Sequence, residues 1–131
     1  MQDKLENSIV DGCRETFKIA PLEEIVENPY PQVNACVSTL EEHREEIKRL
    51  EKNDDCSHLL KKIKQLIRKG LVDMERYVGN ENTALVLQSC ITGALIDSCI
   101  NWIVDEYPIE KEAFVKVLCD FLPGGIIYLK R

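Results

Sequence analysis

Only two histidines occur among these 131 residues, and no glycine-rich phosphate loop, no GxSxG and no HExxH accompany them. Hydrolytic, phosphoryl-transfer and nucleotide chemistry usually announce themselves through such motifs. The expectation is a protein that is not an enzyme and carries no cofactor. Aromatic residues are also few, three Phe, four Tyr and one Trp, so Leu, Ile, Val and Cys must fill the core. Signal peptide, lipidation motif, internal repeat and low-complexity stretch are all lacking.

Six cysteines are present without a single CxxC pair. Cys13, Cys36, Cys56, Cys90, Cys99 and Cys119 lie far apart and mostly on the apolar sides of helical patterns. A chain of this length buries about two thirds of its unfolded surface without covalent staples, so reduced, buried thiols in a cytoplasmic protein are expected. A zinc site from Cys36, His43, Cys56 and His58 fails on spacing. Two helical turns, about 10 Å, separate Cys36 from His43, and Cys56 and His58 point to different sides of their helix. No metal is expected.

The net charge is −6, which disfavours unaided binding to nucleic acid or an anionic membrane. Acidic residues concentrate in the first half: residues 1–55 carry 14 acids and 7 bases, residues 56–131 carry 9 and 10. The one basic cluster, Lys61, Lys62, Lys64, Arg68 and Lys69, has no interleaved aromatics, and it reads as a solvated helix face. The pairs Glu23-Glu24 and Glu41-Glu42 read the same way.

The most informative segment is NTALVLQSCITGALIDSCINWIVDEY, Asn82 to Tyr107, which has no charge from Asn82 to Ile96. A helix apolar on every side must be enclosed by protein or lipid. Its interior Gln88, Ser89, Thr92, Asp97, Ser98 and Asn101 argue against lipid. It is expected to be the sandwiched helix of a bundle, and a subunit interface.

The rest reads as helices too. Leu5, Ile9, Cys13 and Phe17 mark an opening helix that stops before Pro21, and a short one follows up to Asn28. From Pro31, the residues Cys36, Leu40, His43, Ile47 and Leu50 recur at 4-3-4-3 spacing and predict one long helix. Asn53-Asp54-Asp55 ends it and caps the next, whose stripe runs from Leu59 to Val78, with Gly70 bending or splitting it. After the central segment, Phe114, Val117, Leu118 and Phe121 form a last helix expected to stop at Pro123-Gly124-Gly125. Only the tail IIYL carries a strand pattern. The fold class is all-α, an antiparallel bundle of five to seven helices in one domain spanning 1–131.

Helical phase divides the central segment. Ala84, Gln88, Ile91, Thr92, Leu95, Cys99 and Trp102 share one side; Val86, Cys90, Gly93, Ala94, Asp97, Asn101 and Val104 share the other. The small residues of the second side permit close helix approach and suit a seam. Gln88 and Thr92 on the first are polar groups able to orient a ligand. His43, on an apolar stripe, reads either as a core histidine or as a ligand contact.

The order of elements, Leu40-x2-His43, a kinked helix pair, then TGALIDSCINWIVDEY followed by IEKEAFVKVLCDFL, resembles the C-terminal effector-binding and dimerisation domain of TetR-type transcriptional regulators. The resemblance is strongest over 83–122 and weaker over 31–78. It implies a homodimer in which the last two helices pack with their symmetry mates as a four-helix bundle. The seam would include Cys90, Gly93, Ala94, Asp97, Phe114, Val117 and Phe121. It also implies a small, weakly polar effector held near His43, Gln88, Thr92 and Trp102. Such regulators carry an N-terminal DNA-binding domain that nothing before Asp3 supplies, so DNA contact is expected only through a domain absent from this chain.

Overall fold

The computed structural model describes residues 2–16, 22–52, 56–70 and 74–129. Among them are eight α-helices and no strand: α1 (Gln2–Thr16), α2 (Leu22–Glu27), α3 (Tyr30–Glu42), α4 (Arg44–Lys52), α5 (Cys56–Gly70), α6 (Met74–Val78), α7 (Glu81–Val104) and α8 (Lys111–Leu129). The protein is an all-α helical bundle. The expected opening helix is α1, with Ile9 and Cys13 fully buried. The side chains of Leu5 and Phe17, the stop at Pro21, the cap at Asn53-Asp54-Asp55 and the stripe residue Leu71 lie outside the described residues.

The helix expected from Pro31 comes in two pieces. The backbone leaves helical geometry at His43 (φ −101°, ψ 22°), whose N–H reaches back three residues to Leu40 O at 3.1 Å. Helical bonding resumes from there, Ile47 N–H donating to His43 O at 2.9 Å. Just upstream, the Thr39 hydroxyl donates to Ala35 O at 2.9 Å, a back-bond of the kind that bends helices. The next pattern likewise divides, into α5 and α6, which raises the helix number above the five to seven expected.

α7 begins where Gly79 (φ 75°) turns the chain and the Asn80 side chain accepts the Thr83 N–H at 2.9 Å, satisfying one of the free donors of the first turn. It ends at Val104, three residues short of the expected Tyr107, because Glu106 takes a left-handed conformation (φ 52°) that no helix continues. By length and mean hydropathy (1.5 over its most apolar stretch) α7 could cross a membrane. In this structure it packs against α3, α4, α5, α6 and α8.

α8 does not stop at Pro123-Gly124-Gly125. It runs through the proline to Leu129 and takes up the IIYL tail as helix. Pro123 removes one backbone bond, while Leu122 and Pro123 are both buried. Contact with the bundle holds a direction that local propensity opposes.

Candidate functional site

The central helix presents two faces. Ala84, Thr92, Leu95, Cys99 and Trp102 are buried, with Gln88 and Ile91 half-buried beside them. Opposite, Val86, Cys90, Asp97 and Asn101 are exposed, and Gly93, Ala94 and Val104 half-exposed. The division inferred from helical phase is the one the fold adopts.

On its outer face, Val86 is 63 % exposed and Leu85 beside it 55 %. A Cβ built at Gly93 would meet only Asp97 Oδ2, at 3.8 Å. That glycine opens a shallow gap with nothing in the protomer to fill it. One border of the gap belongs to α5: Lys64 Nζ lies 3.2 Å from Asp97 Oδ1, and Arg68 reaches the Ser89 hydroxyl at 3.4 Å. These contacts turn part of the basic α5 face toward α7.

α8 meets α7 on the opposite face, at Trp102. Phe114 is buried and stacks on Trp102, centroids 4.7 Å apart with 13° between planes. It therefore sits in the protomer's own core. Val117 and Phe121, three and seven residues on, continue the flank of α8 that Phe114 turns toward α7, and they are 56 % and 67 % exposed. Leu85 and Val86 on α7 and Val117 and Phe121 on α8 are thus large apolar side chains left exposed on these two helices.

The four residues expected to hold a ligand do not meet at one point. Thr92 is fully buried, and its hydroxyl donates to Gln88 O of the same helix. The Trp102 indole N–H donates to Ile109 O at 3.0 Å, and the Arg44 guanidinium lies 5.2 Å from the ring centroid. Gln88 and Trp102 are fourteen residues apart, about 21 Å along the helix axis. His43 packs instead against α1, where a Cβ at Gly12 would stand 2.8 Å from its Nε2. Its Nδ1 is buried without a hydrogen-bond partner, 3.8 Å from Glu46 Oε2.

Below this lies a group of thiols from three helices, Cys13 on α1, Cys36 on α3 and Cys99 on α7, all buried. Burial pushes Cys13 and Cys36 up to about 12 and Cys99 further in the same direction. At neutral pH they are packing groups, since the thiolate is the reactive form. Among the described thiols Cys90 is exposed and Cys119 half-buried. Among the described residues, no three His, Cys, Asp or Glu side chains are placed to share a metal ion.

Sequence reasoning missed the corner between α7 and α8. Lys48 Nζ bonds Glu106 Oε1 at 2.6 Å and holds that carboxyl below the usual carboxylate range, with Arg44 adding to the effect. Glu41 lies 3.6 Å from Arg44 and 4.0 Å from Lys111. No periodicity signals contacts between residues 58 positions apart. Compared with known proteins, the chain matches no family model, and no curated protein or solved structure is similar to it.

Proposed function

We propose that this chain is a homodimerisation and effector-sensing domain of the kind found in TetR-type transcriptional regulators, assembling through α7 and α8. The observation that carries the reading is the exposure of Leu85 and Val86 on α7 and of Val117 and Phe121 on α8, with Gly93 leaving room on the outer face of α7. Large apolar side chains left exposed on a folded domain are candidates for a contact site, and a second copy offers the same side chains in return, as two-fold interfaces require. The order of helices supports the TetR-like assignment. DNA would be contacted through a separate domain.

The sensing half of the proposal concerns the protomer interior around Gln88 and Thr92, where α5 and α6 both pack on α7. A small, weakly polar molecule that binds one tilt of these helices better than another would shift the population and, through α7, the subunit arrangement. A second reading, a dimeric structural module without a ligand, draws support from Thr92 and Trp102, whose polar groups already have partners within the chain.

Sedimentation tests the first half. Wild type should be dimeric at micromolar concentration, and Phe121→Glu, which places a charge at a largely exposed position of α8, should be monomeric with unchanged helicity. A monomeric wild type at high micromolar concentration rejects the seam. A thermal-shift screen of metabolites and apolar drugs tests the second half: a shift in wild type that Gln88→Leu abolishes supports sensing, and no shift at all leaves the structural module.

A further inference from the structure

Two irregular points stand out in the backbone of the folded bundle. One is His43, where a sequence pattern that describes a single helix is interrupted for one residue. The other is Glu106, a non-glycine residue in left-handed conformation at φ 52°. Both carry unfavourable terms. A buried nitrogen without a partner and a left-handed β-carbon residue each persist only where surrounding structure over-determines them.

The surrounding structure links the two. Arg44 and Lys48, one turn apart on α4 immediately after the break, both grip the α7–α8 corner. Arg44 lies over the Trp102 ring at 5.2 Å, and Lys48 bonds Glu106 at 2.6 Å. Glu41, immediately before the break, reaches Arg44 and Lys111. One exposed ion pair contributes little by itself, but these contacts all close on one corner and originate on both sides of one non-helical residue.

We propose that the α3–α4 break is a hinge latched to the α7–α8 corner, so that the two open and close together. In the latched state the His43 ring occupies the space beside Gly12, and the direction it gives α4 brings Lys48 to Glu106. In the open state the 4-3-4-3 pattern runs as one helix. The missing helical bonds are regained and Nδ1 reaches water. Arg44 and Lys48 swing off the corner, and Glu106 relaxes to negative φ. A local opening of this type belongs to the low-stability end of native-state motion. The inference holds whatever covers the exposed faces of α7 and α8.

Amide hydrogen exchange on the intact chain tests it, comparing wild type with Lys48→Met, Glu106→Gln and Gly12→Ala. Gly12→Ala displaces the His43 ring from α1. It should speed exchange at the corner amides of Tyr107 and Ile109 by about threefold or more, while leaving Ile63 and Ile67 on α5 at wild-type rates. Lys48→Met and Glu106→Gln should do the reverse and speed exchange at Arg44 and Ile47. Changes confined to the side mutated, the corner for Lys48→Met or the α1–His43 contact for Gly12→Ala, overturn the proposal. Should Gly12→Ala fail to fold, the two surface variants decide it alone.

Discussion

The His43 imidazole fills the space beside Gly12 of α1, so closely that a Cβ on that glycine would lie 2.8 Å from Nε2. Glycine inside a helix normally weakens it by about 0.5–1 kcal/mol relative to alanine. Gly12→Ala should therefore stabilise α1 if nothing stands in the way. Here the new methyl must push the ring aside.

A double-mutant cycle reads the difference. In a His43→Ala background, Gly12→Ala should raise unfolding free energy by about 0.5–1 kcal/mol, and in the wild-type background it should lower it, a coupling on the order of 1 kcal/mol or more. Urea denaturation of the four proteins provides the measurement. Additive effects would mean that the ring yields freely.

The helices themselves were legible because their apolar residues recur at helical spacing, and the two faces of α7 followed from phase alone. The break at His43 was not. A 4-3-4-3 stripe is equally satisfied by one helix or by two pieces, and it carries no sign that the ring at the break packs against Gly12 of α1, thirty-one residues earlier. Pro123 misled for the opposite reason: local chemistry predicts a stop, and burial of Leu122 and Pro123 overrides it. Among the seam candidates, Phe114 shares a stripe with Val117 and Phe121 in the sequence, and only the Trp102 stack separates it from them. The ligand candidates could be placed on faces, but helical phase says nothing of the distance along the axis between Gln88 and Trp102.

Cys90 is exposed on the outer face of α7, whereas Cys13, Cys36 and Cys99 are buried. Under native conditions at pH 8, a thiol reagent should modify Cys90 first and leave those three until denaturant is added. If the outer face of α7 is a seam, Cys90 labelling should slow as protein concentration rises, while Cys119 labelling changes little. Equal rates at low and high concentration would place Cys90 outside any interface.

Burial holds the thiols of Cys13 and Cys36 up to about 12, above the ordinary value near ~8.5 that they regain on unfolding. The unfolded chain thus loses these protons first. Their contribution to stability is complete below about pH 8.5 and falls as pH rises toward 12. Stability should drop between pH 8 and 10.5, and Cys36→Ala should flatten that slope by about 1 kcal/mol per pH unit on average. Urea titrations at the two pH values measure it. An unchanged slope would show that Cys36 is solvated in the native state.

Trp102→Phe keeps the stack on Phe114 but removes the donor to Ile109 O. An unpaired carbonyl at the α7–α8 corner, together with a smaller ring under Arg44, should lower stability by about 1–3 kcal/mol. The loss should localise. Exchange at Tyr107 and Ile109 should rise more than exchange in α5.

Gly93 separates the stability of the protomer from that of the assembly. Within one protomer a side chain at this position meets only Asp97 Oδ2 at 3.8 Å, so Gly93→Leu should strengthen α7 by roughly 0.8 kcal/mol through helix propensity. Across a seam, the same side chain fills the gap that lets two helices approach and must separate them. The variant should therefore melt higher than wild type at submicromolar concentration, where both are monomers. At tens of micromolar it should melt lower, because wild type then gains from association and the variant does not. Melting curves at two concentrations, with sedimentation at each, give the sign in both regimes. If Gly93→Leu is the more stable protein throughout, Gly93 faces solvent in the working protein and the subunit contact lies elsewhere.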